Sequence, residues 1–126
     1  MKQVLFVCLG NICRSPMAEA VMRDLIAKRG LTDKITVDSA GTSNYHIGEP
    51  PHKGTMAKLQ EYGIMTTGML ARQLRTSDLA SFDYIVCMDE SNVKNTIEML
   101  RAEADAKVFR FLDLTTHKKD VPDPWY

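Results

Sequence analysis

No CxxC pair and no HExxH run occurs in the chain, and its three histidines, His46, His52 and His117, are scattered. Without a cluster at metal-ligand spacing, neither a metal nor any other cofactor is expected. The three cysteines, Cys8, Cys13 and Cys87, are odd in number and lack framework spacing. That excludes a secreted disulfide scaffold and points to a reducing compartment, so a cytoplasmic location is expected. No excess of charge exists either: 16 Lys and Arg balance 16 Asp and Glu. A broad electrostatic footprint for nucleic acid is thereby excluded, although a local positive pocket is not. No apolar run approaches the roughly 20 residues of a membrane span. The opening "MKQVLFVCLG" is too short for a signal sequence and is followed by no small-residue cleavage site, so it reads as a strand. Repeats, linkers and low-complexity tracts are missing too. With 44% apolar and 25% charged residues, the 126-residue chain is expected to form one domain over residues 1–126.

The apolar run 4–7, "VLFV", predicts a strand buried on both faces. Ser15 and Pro16 read as a helix start, with Ser as N-cap and Pro at the first helical position. Ala18, Val21, Met22, Leu25 and Ile26 follow helical spacing, and Gly30 suits the C-terminal cap. "KITVDSAG" (34–41) predicts a second strand, parallel to the first in a βαβ unit. A loop with Gly, Asn and two prolines follows, then a helix over "TMAKLQEY" closed by Gly63. A short helix near 77–80, a strand over 82–88 and a helix capped by Asp89 or Ser91 come next. The apolar positions of that helix are Val93, Ile97, Leu100 and Ala104. "AKVFRFL" (106–112) predicts a fourth strand, and "THKKDVPDPWY" a loop in which 117–119 form a small basic, solvated cluster. This order predicts a three-layer α/β/α sandwich around a parallel four-stranded sheet. Cys8, the turn 39–42, Met88–Asp89 and the loop after Phe111 should then share the carboxyl edge, where such folds bind ligands.

The chemistry concentrates in "FVCLGNICRSPMAEA" (6–20). A loop between a parallel strand and a helix N-terminus points amides inward and faces the positive end of the helix dipole, which makes an anion site. Gly10 permits a tight bend, and Asn11 tolerates left-handed backbone. Arg14 supplies a planar fork for two phosphate oxygens. The GxxxxGK of a Walker loop is absent, and a cysteine sits at the mouth instead. Alone, a cysteine ending a buried strand is a small apolar filler. Within a Cys-x5-Arg-Ser spacing and a strand–loop–helix context it reads as a thiolate nucleophile, with Ser15 able to donate to it and a phosphoryl group as its natural electrophile.

"VLFVCLGNICRSPMAEA" resembles the active-site signature of the low-molecular-weight protein tyrosine phosphatases. "DSAGTSNYHIGEPPHKGT", "ARQL", "FDYIVCMDESN" and "VPDPWY" resemble further blocks of that family, in the same order and over essentially the whole chain. The resemblance implies a phosphatase acting on phosphotyrosine-containing proteins through a phosphocysteine on Cys8. It implies that the amides of Leu9, Gly10, Asn11, Ile12, Cys13 and Arg14, with the Arg14 guanidinium, hold phosphate or another oxyanion. Asp123, flanked by Pro122 and Pro124, would be general acid and then base. Asn11, Ser15 and Ser39 would shape the loop, and Leu9, Tyr45, Trp125 and Tyr126 would wall an apolar slot for the ring. Cys13 would protect Cys8 through a reversible disulfide.

Two relatives of that family are alternatives. Arsenate reductases of this fold pass a disulfide through cysteines seven apart, but Lys94 stands seven after Cys87. Arginine phosphatases have Thr before the second loop cysteine, where this chain has Ile12. The resemblance of "DSAGT" to an aspartate-nucleophile motif fails at Ala40. A redox protein using Cys8 and Cys13 would leave Arg14 idle, and a binding module without turnover would need to lack the nucleophile or the acid. Two departures from the family stand out. Met69 replaces a His commonly found two residues before "ARQ", so either a different residue supports Asn11 or the network is lighter. The sequence also stops at "DPWY", where the family continues into a helix covering one sheet face.

Overall fold

The computed structural model describes residues 1–100 and 107–111. The helical position Ala104 and the segment holding Asp123, Trp125 and Tyr126 lie outside the described residues, as does the 117–119 cluster. In chain order the elements are β1 (Lys2–Cys8), α1 (Arg14–Lys28), β2 (Ile35–Gly41), α2 (Lys53–Glu61), α3 (Asp78–Ser81), β3 (Tyr84–Cys87), α4 (Glu90–Leu100) and β4 (Val108–Arg110). The strands form one sheet in the order β2-β1-β3-β4, and every pairing is parallel.

Strand β1 is central because it is continuously apolar, and both of its faces find a helical layer. Leu5 and Val7 join Ile85, Cys87 and Val108 in a core that Leu79, Val93, Ile97 and Leu100 of α3 and α4 cover. Val4, Phe6 and Cys8 point the other way, with Val86 and Met88, toward Ala18 and Met22 of α1. Beside α1 this second face opens into an apolar groove lined by Val4, Phe6, Ile35, Val86, Phe109 and Phe111.

The sheet order makes β1 a switch point, because the chain moves to β2 on one side and to β3 on the other. Crevices at such points receive ligands. The register aligns Cys8 with Gly41, and Val7 with Cys87. The ends of β1, β2 and β3 therefore converge on the loop that follows Cys8.

Helix α1 departs from expectation at both its start and its buried face. It begins at Arg14, with Cys13 in the cap position and no capping side chain, so Ser15 lies inside the first turn. The Ser15 hydroxyl is turned to Cys8 rather than to a helix amide. Its buried stripe includes Ser15, Glu19 and Ile26, whereas Val21 and Leu25 are among the exposed apolar residues. Polar contacts to the loop, rather than apolar spacing, set the rotation of this helix. Its C-terminus follows expectation: Gly30 takes positive φ (66°), Gly30 N–H donates to Ala27 and Leu31 N–H to Ile26. At α4, Asp89 is the cap: its Oδ1 accepts from Asn92 N–H at 2.7 Å, and Asn92 Oδ1 accepts from Asp89 N–H at 3.3 Å.

Leu5 is fully buried and faces α3 and α4, away from the Cys8 loop. Leu5→Ala is expected to lower the unfolding free energy by about 2–5 kcal/mol through lost burial and a residual cavity. Urea denaturation should show a lower midpoint with an unchanged slope.

Candidate active site

Residues 9–13 form a bent loop between β1 and α1. Asn11 carries φ of 58°, the one non-glycine residue at positive φ among the described residues. That turn aims its main-chain N–H at Cys8 Sγ, at 3.2 Å. Its side chain is fully engaged: Nδ2 donates to Ser15 Oγ at 2.8 Å and to Ser39 Oγ at 2.9 Å, and Oδ1 accepts from Arg72 N–H at 3.0 Å. These contacts supply the support that the family's usual histidine leaves vacant here. Met69 instead packs among Ala20 and Leu59, with Met17 and Ile64 beside it.

The direction of donation along this chain matters. Ser15 Oγ lies 3.0 Å from Cys8 Sγ and accepts from Asn11 Nδ2, so the hydroxyl and the sulfur share one hydrogen bond in which either can donate. Ser39 Oγ likewise accepts from Asn11 and passes its hydrogen to Glu19 Oε1, while Arg23 pairs with Glu19 Oε2. The Cys8 sulfur thus accepts from the Asn11 amide, lies within hydrogen-bond distance of the Ser15 hydroxyl and sits at the α1 N-terminus, the positive end of the helix dipole.

Arg14 is buried in the first turn of α1, and its Nη1 donates to Asp89 Oδ2 at 2.9 Å. Asp89 therefore serves twice, capping α4 with one oxygen and orienting the guanidinium with the other. The loop rests on Gly41, where an added Cβ would lie 2.8 Å from Leu9 O, 3.0 Å from Gly10 C and 3.1 Å from Asn11 N. Thr42 N–H donates to Cys8 O and Ser43 N–H to Leu9 O, continuing the β2 pairing onto the loop.

Cys8, Gly10, Asn11, Ile12, Cys13, Arg14, Ser15 and Ser39 are brought together as the sequence indicated. Leu9 and Tyr45 are exposed at 37% and 74% and share the rim of an open depression with Asn44, Gln73 and Asn95. Cys8 and Cys13 are both buried and are not joined by a disulfide. Sequence reasoning missed Glu19, Arg72, Asp38 and Asp78. Glu19 was detectable as a carboxylate four residues after Ser15 on the helix, but the partners of Arg72 are distant in the chain.

A family model described as low molecular weight phosphotyrosine protein phosphatase matches residues 3–126. The chain belongs to that family. Its relatives are named protein-tyrosine-phosphatases, which are cysteine-dependent enzymes. The Bacillus subtilis low molecular weight protein-tyrosine-phosphatase YfkJ is 52% identical over 128 residues, covering 100% of this chain and 82% of the relative. The crystal structure of YfkJ superposes with a TM-score of 0.96 at 52% identity, over 100% of this chain and 80% of that one. The Staphylococcus epidermidis phosphatase PtpA is 47% identical over 127 residues, covering 100% and 80%. Vibrio vulnificus Wzb, solved in complex with benzylphosphonate, matches with a TM-score of 0.85 at 28% identity, over 98% and 82%. Neither arsenate reductase nor arginine phosphatase is favoured by these likenesses. Among the described residues no helix is long and apolar enough to cross a membrane.

The contact at Gly41 yields a discriminating pair of variants. Gly41→Ala would press a methyl into loop backbone, and a shift on the order of 1 Å lowers kcat/KM for aryl phosphates about a hundredfold. Gly10→Ala would meet a side chain, His46 Cδ2 at 2.9 Å, which sits in an exposed turn and can yield. Steady-state kinetics on the two proteins should show the large loss only for Gly41→Ala.

Proposed function

We propose that this chain hydrolyses phosphotyrosine in proteins through a phosphocysteine on Cys8. The carrying observation is the Cys8 sulfur accepting from Asn11 N–H at 3.2 Å and lying 3.0 Å from Ser15 Oγ, at the mouth of a strand–loop–helix turn. The reading assigns the amides of residues 9–14 and the Arg14 guanidinium to the equatorial phosphoryl oxygens, with Asp89 setting the fork's orientation. The benzylphosphonate held by Wzb, an arylmethyl phosphonate on the same fold, supports an aryl ester as substrate.

In the first step Cys8 S⁻ attacks phosphorus. The S–P bond forms as the bond to the tyrosyl oxygen breaks, and Asp123 delivers its proton to that oxygen. A phenol has a pKa of about 10, so protonation removes a poor leaving group. In the second step the Asp123 carboxylate takes a proton from water, the water oxygen bonds to phosphorus, and the S–P bond breaks to release inorganic phosphate. Leu9 and Tyr45, joined by Trp125 and Tyr126, are assigned to the walls that guide the ring. The cytoplasm is the compartment this reading assumes, because the nucleophile must stay reduced.

Cys8→Ser should abolish turnover of an aryl phosphate. Asp123→Asn should slow esters of poorly acidic phenols by about 10²–10⁴-fold and spare those of acidic phenols. Equal slowing across a leaving-group series would remove Asp123 from the acid role.

The reading also gives Cys13 a protective part. Peroxide, with uptake of one proton, oxidises the Cys8 thiolate to a sulfenic acid and is itself reduced to water. The Cys13 thiol then condenses with it, forming a disulfide and releasing a second water, and a thiol reductant restores both groups. After a peroxide pulse and reduction, Cys13→Ala should regain a smaller share of its activity than the parent. Equal recovery contradicts the role.

A further inference from the structure

Asn11 Oδ1 is held by a single main-chain donor, Arg72 N–H at 3.0 Å, from a segment 61 residues further along the chain. The two peptide units that follow that N–H are pinned to Gly41. Arg72 O accepts from Gly41 N–H at 2.9 Å, and Leu74 N–H donates to Gly41 O at 2.7 Å. One short stretch thus grips both Asn11 and the glycine on which the loop rests. The stretch meets the sheet at an isolated bridge, Gly41 to Gln73, and Ala71 exchanges hydrogen bonds with Gly48 N–H and Glu49 O, each at 2.8 Å. The Arg72 side chain adds a tie to two further elements.

The guanidinium spans two carboxylates on different elements. Nε and Nη2 donate to Asp38 Oδ2, on β2, at 3.2 and 3.1 Å. Nη1 and Nη2 donate to Asp78 Oδ2 and Oδ1, at the start of α3, at 3.0 and 3.3 Å. Nη1 also donates to Gln73 O at 3.3 Å. Asp78 is almost wholly buried and accepts Arg75 N–H as well, at 2.8 Å, whereas Asp38 is half exposed. Burial is the largest influence on Arg72 and works against its charge, but the hydrogen bonds and charges of Asp78 and Asp38 together outweigh it and raise its pKa.

We infer that Arg72 is a positioning residue for the reaction: by bridging Asp38 and Asp78, it locks the peptide N–H that holds Asn11 in its left-handed turn and so keeps the Asn11 amide and the Ser15 hydroxyl aimed at the Cys8 sulfur. The proposal rests on Cys8 being the nucleophile. The guanidinium need not touch substrate, since it acts through one amide and one glycine. Lysine cannot replace it, because a single ammonium lacks the planar fork that reaches two carboxylates at once.

The test compares Arg72→Lys and Asp38→Asn with the parent. Asp38→Asn weakens the charged arm while leaving an Oδ1 acceptor for Ser39 N–H. Two quantities are read below the melting temperature of each protein. One is kcat and KM for an aryl phosphate. The other is the rate at which iodoacetamide, an uncharged reagent, alkylates Cys8 at pH 6, followed by mass spectrometry of its peptide. Arg72→Lys should lower kcat and the alkylation rate together by about tenfold, with KM within about twofold. Asp38→Asn should move both in the same direction by about threefold. If the clamp is only structural, melting falls while kcat and alkylation stay at parental values, and the proposal is overturned. Should Arg72→Lys fail to fold, parental values in Asp38→Asn overturn it equally. Alkylation needs no turnover, so a parent without phosphatase activity would defeat the functional reading while leaving the clamp separately tested.

Discussion

Asn11 adopts a backbone conformation that few residues other than glycine tolerate, and the site is organised around keeping it there. Its φ of 58° turns the amide toward Cys8. Three side-chain hydrogen bonds, each worth about 1 kcal/mol net, offset the cost of the turn. Those bonds come from three separate elements: Ser15 on α1, Ser39 on β2, and the segment bearing Arg72. The loop is therefore a meeting point of the fold rather than an excursion from it. Gly41 is the steric half of the same constraint, since the loop backbone occupies the space a side chain would need.

A formal net charge of zero conceals a good deal of local order. Arg14 meets Asp89, Arg72 meets Asp38 and Asp78, and Arg23 meets Glu19. In three of these four contacts one partner is buried, Arg14, Glu19 or Asp78, and there an ion pair is a constraint on geometry more than a source of stability; Arg72 and Asp38 are both partly exposed. Removing one member would leave the other stranded in low dielectric, so the arrangements tend to persist as units. What the pairs accomplish is orientation: of a guanidinium at the loop, of a peptide unit beside Asn11, and of a carboxylate that receives the Ser39 hydrogen.

The βαβ opening, the parallel sheet and the anion loop were legible because local patterns encode them: an apolar run, a glycine, an Asn and a helix start. Ser15 was misread for a physical reason. Ser before Pro matches the statistics of a helix cap, but here its hydroxyl lies against sulfur, and the helix begins two residues earlier than that reading, at Arg14. Val21 and Leu25 were placed on the buried face by spacing alone. Glu19 takes that face because Ser39 needs an acceptor. The role of Arg72 was invisible, because its partners lie 34 and 6 residues away and the contact that matters is made by its backbone. Support for Asn11 in the absence of the family's histidine was one of two expectations, but its source was not legible.

Cys8 and Cys87 show how the fold separates two thiols that the sequence alone makes alike. Both are buried near the carboxyl edge of adjacent parallel strands, with Val7 in register with Cys87. They point to opposite faces of the sheet, Cys8 toward α1 and Cys87 into the core under α4. Burial drives the Cys87 thiol up to about 12; its bond with Thr96 opposes the rise, and the charges of Asp89 and Cys8 add to it. Its proton is thus held at neutral pH, and a charge on the Cys8 sulfur holds it more firmly. Cys8 instead receives an amide hydrogen from Asn11 and lies beside the Ser15 hydroxyl at a helix N-terminus. The fold thereby gives a loop amide and a helix N-terminus to only one of two neighbouring sulfurs.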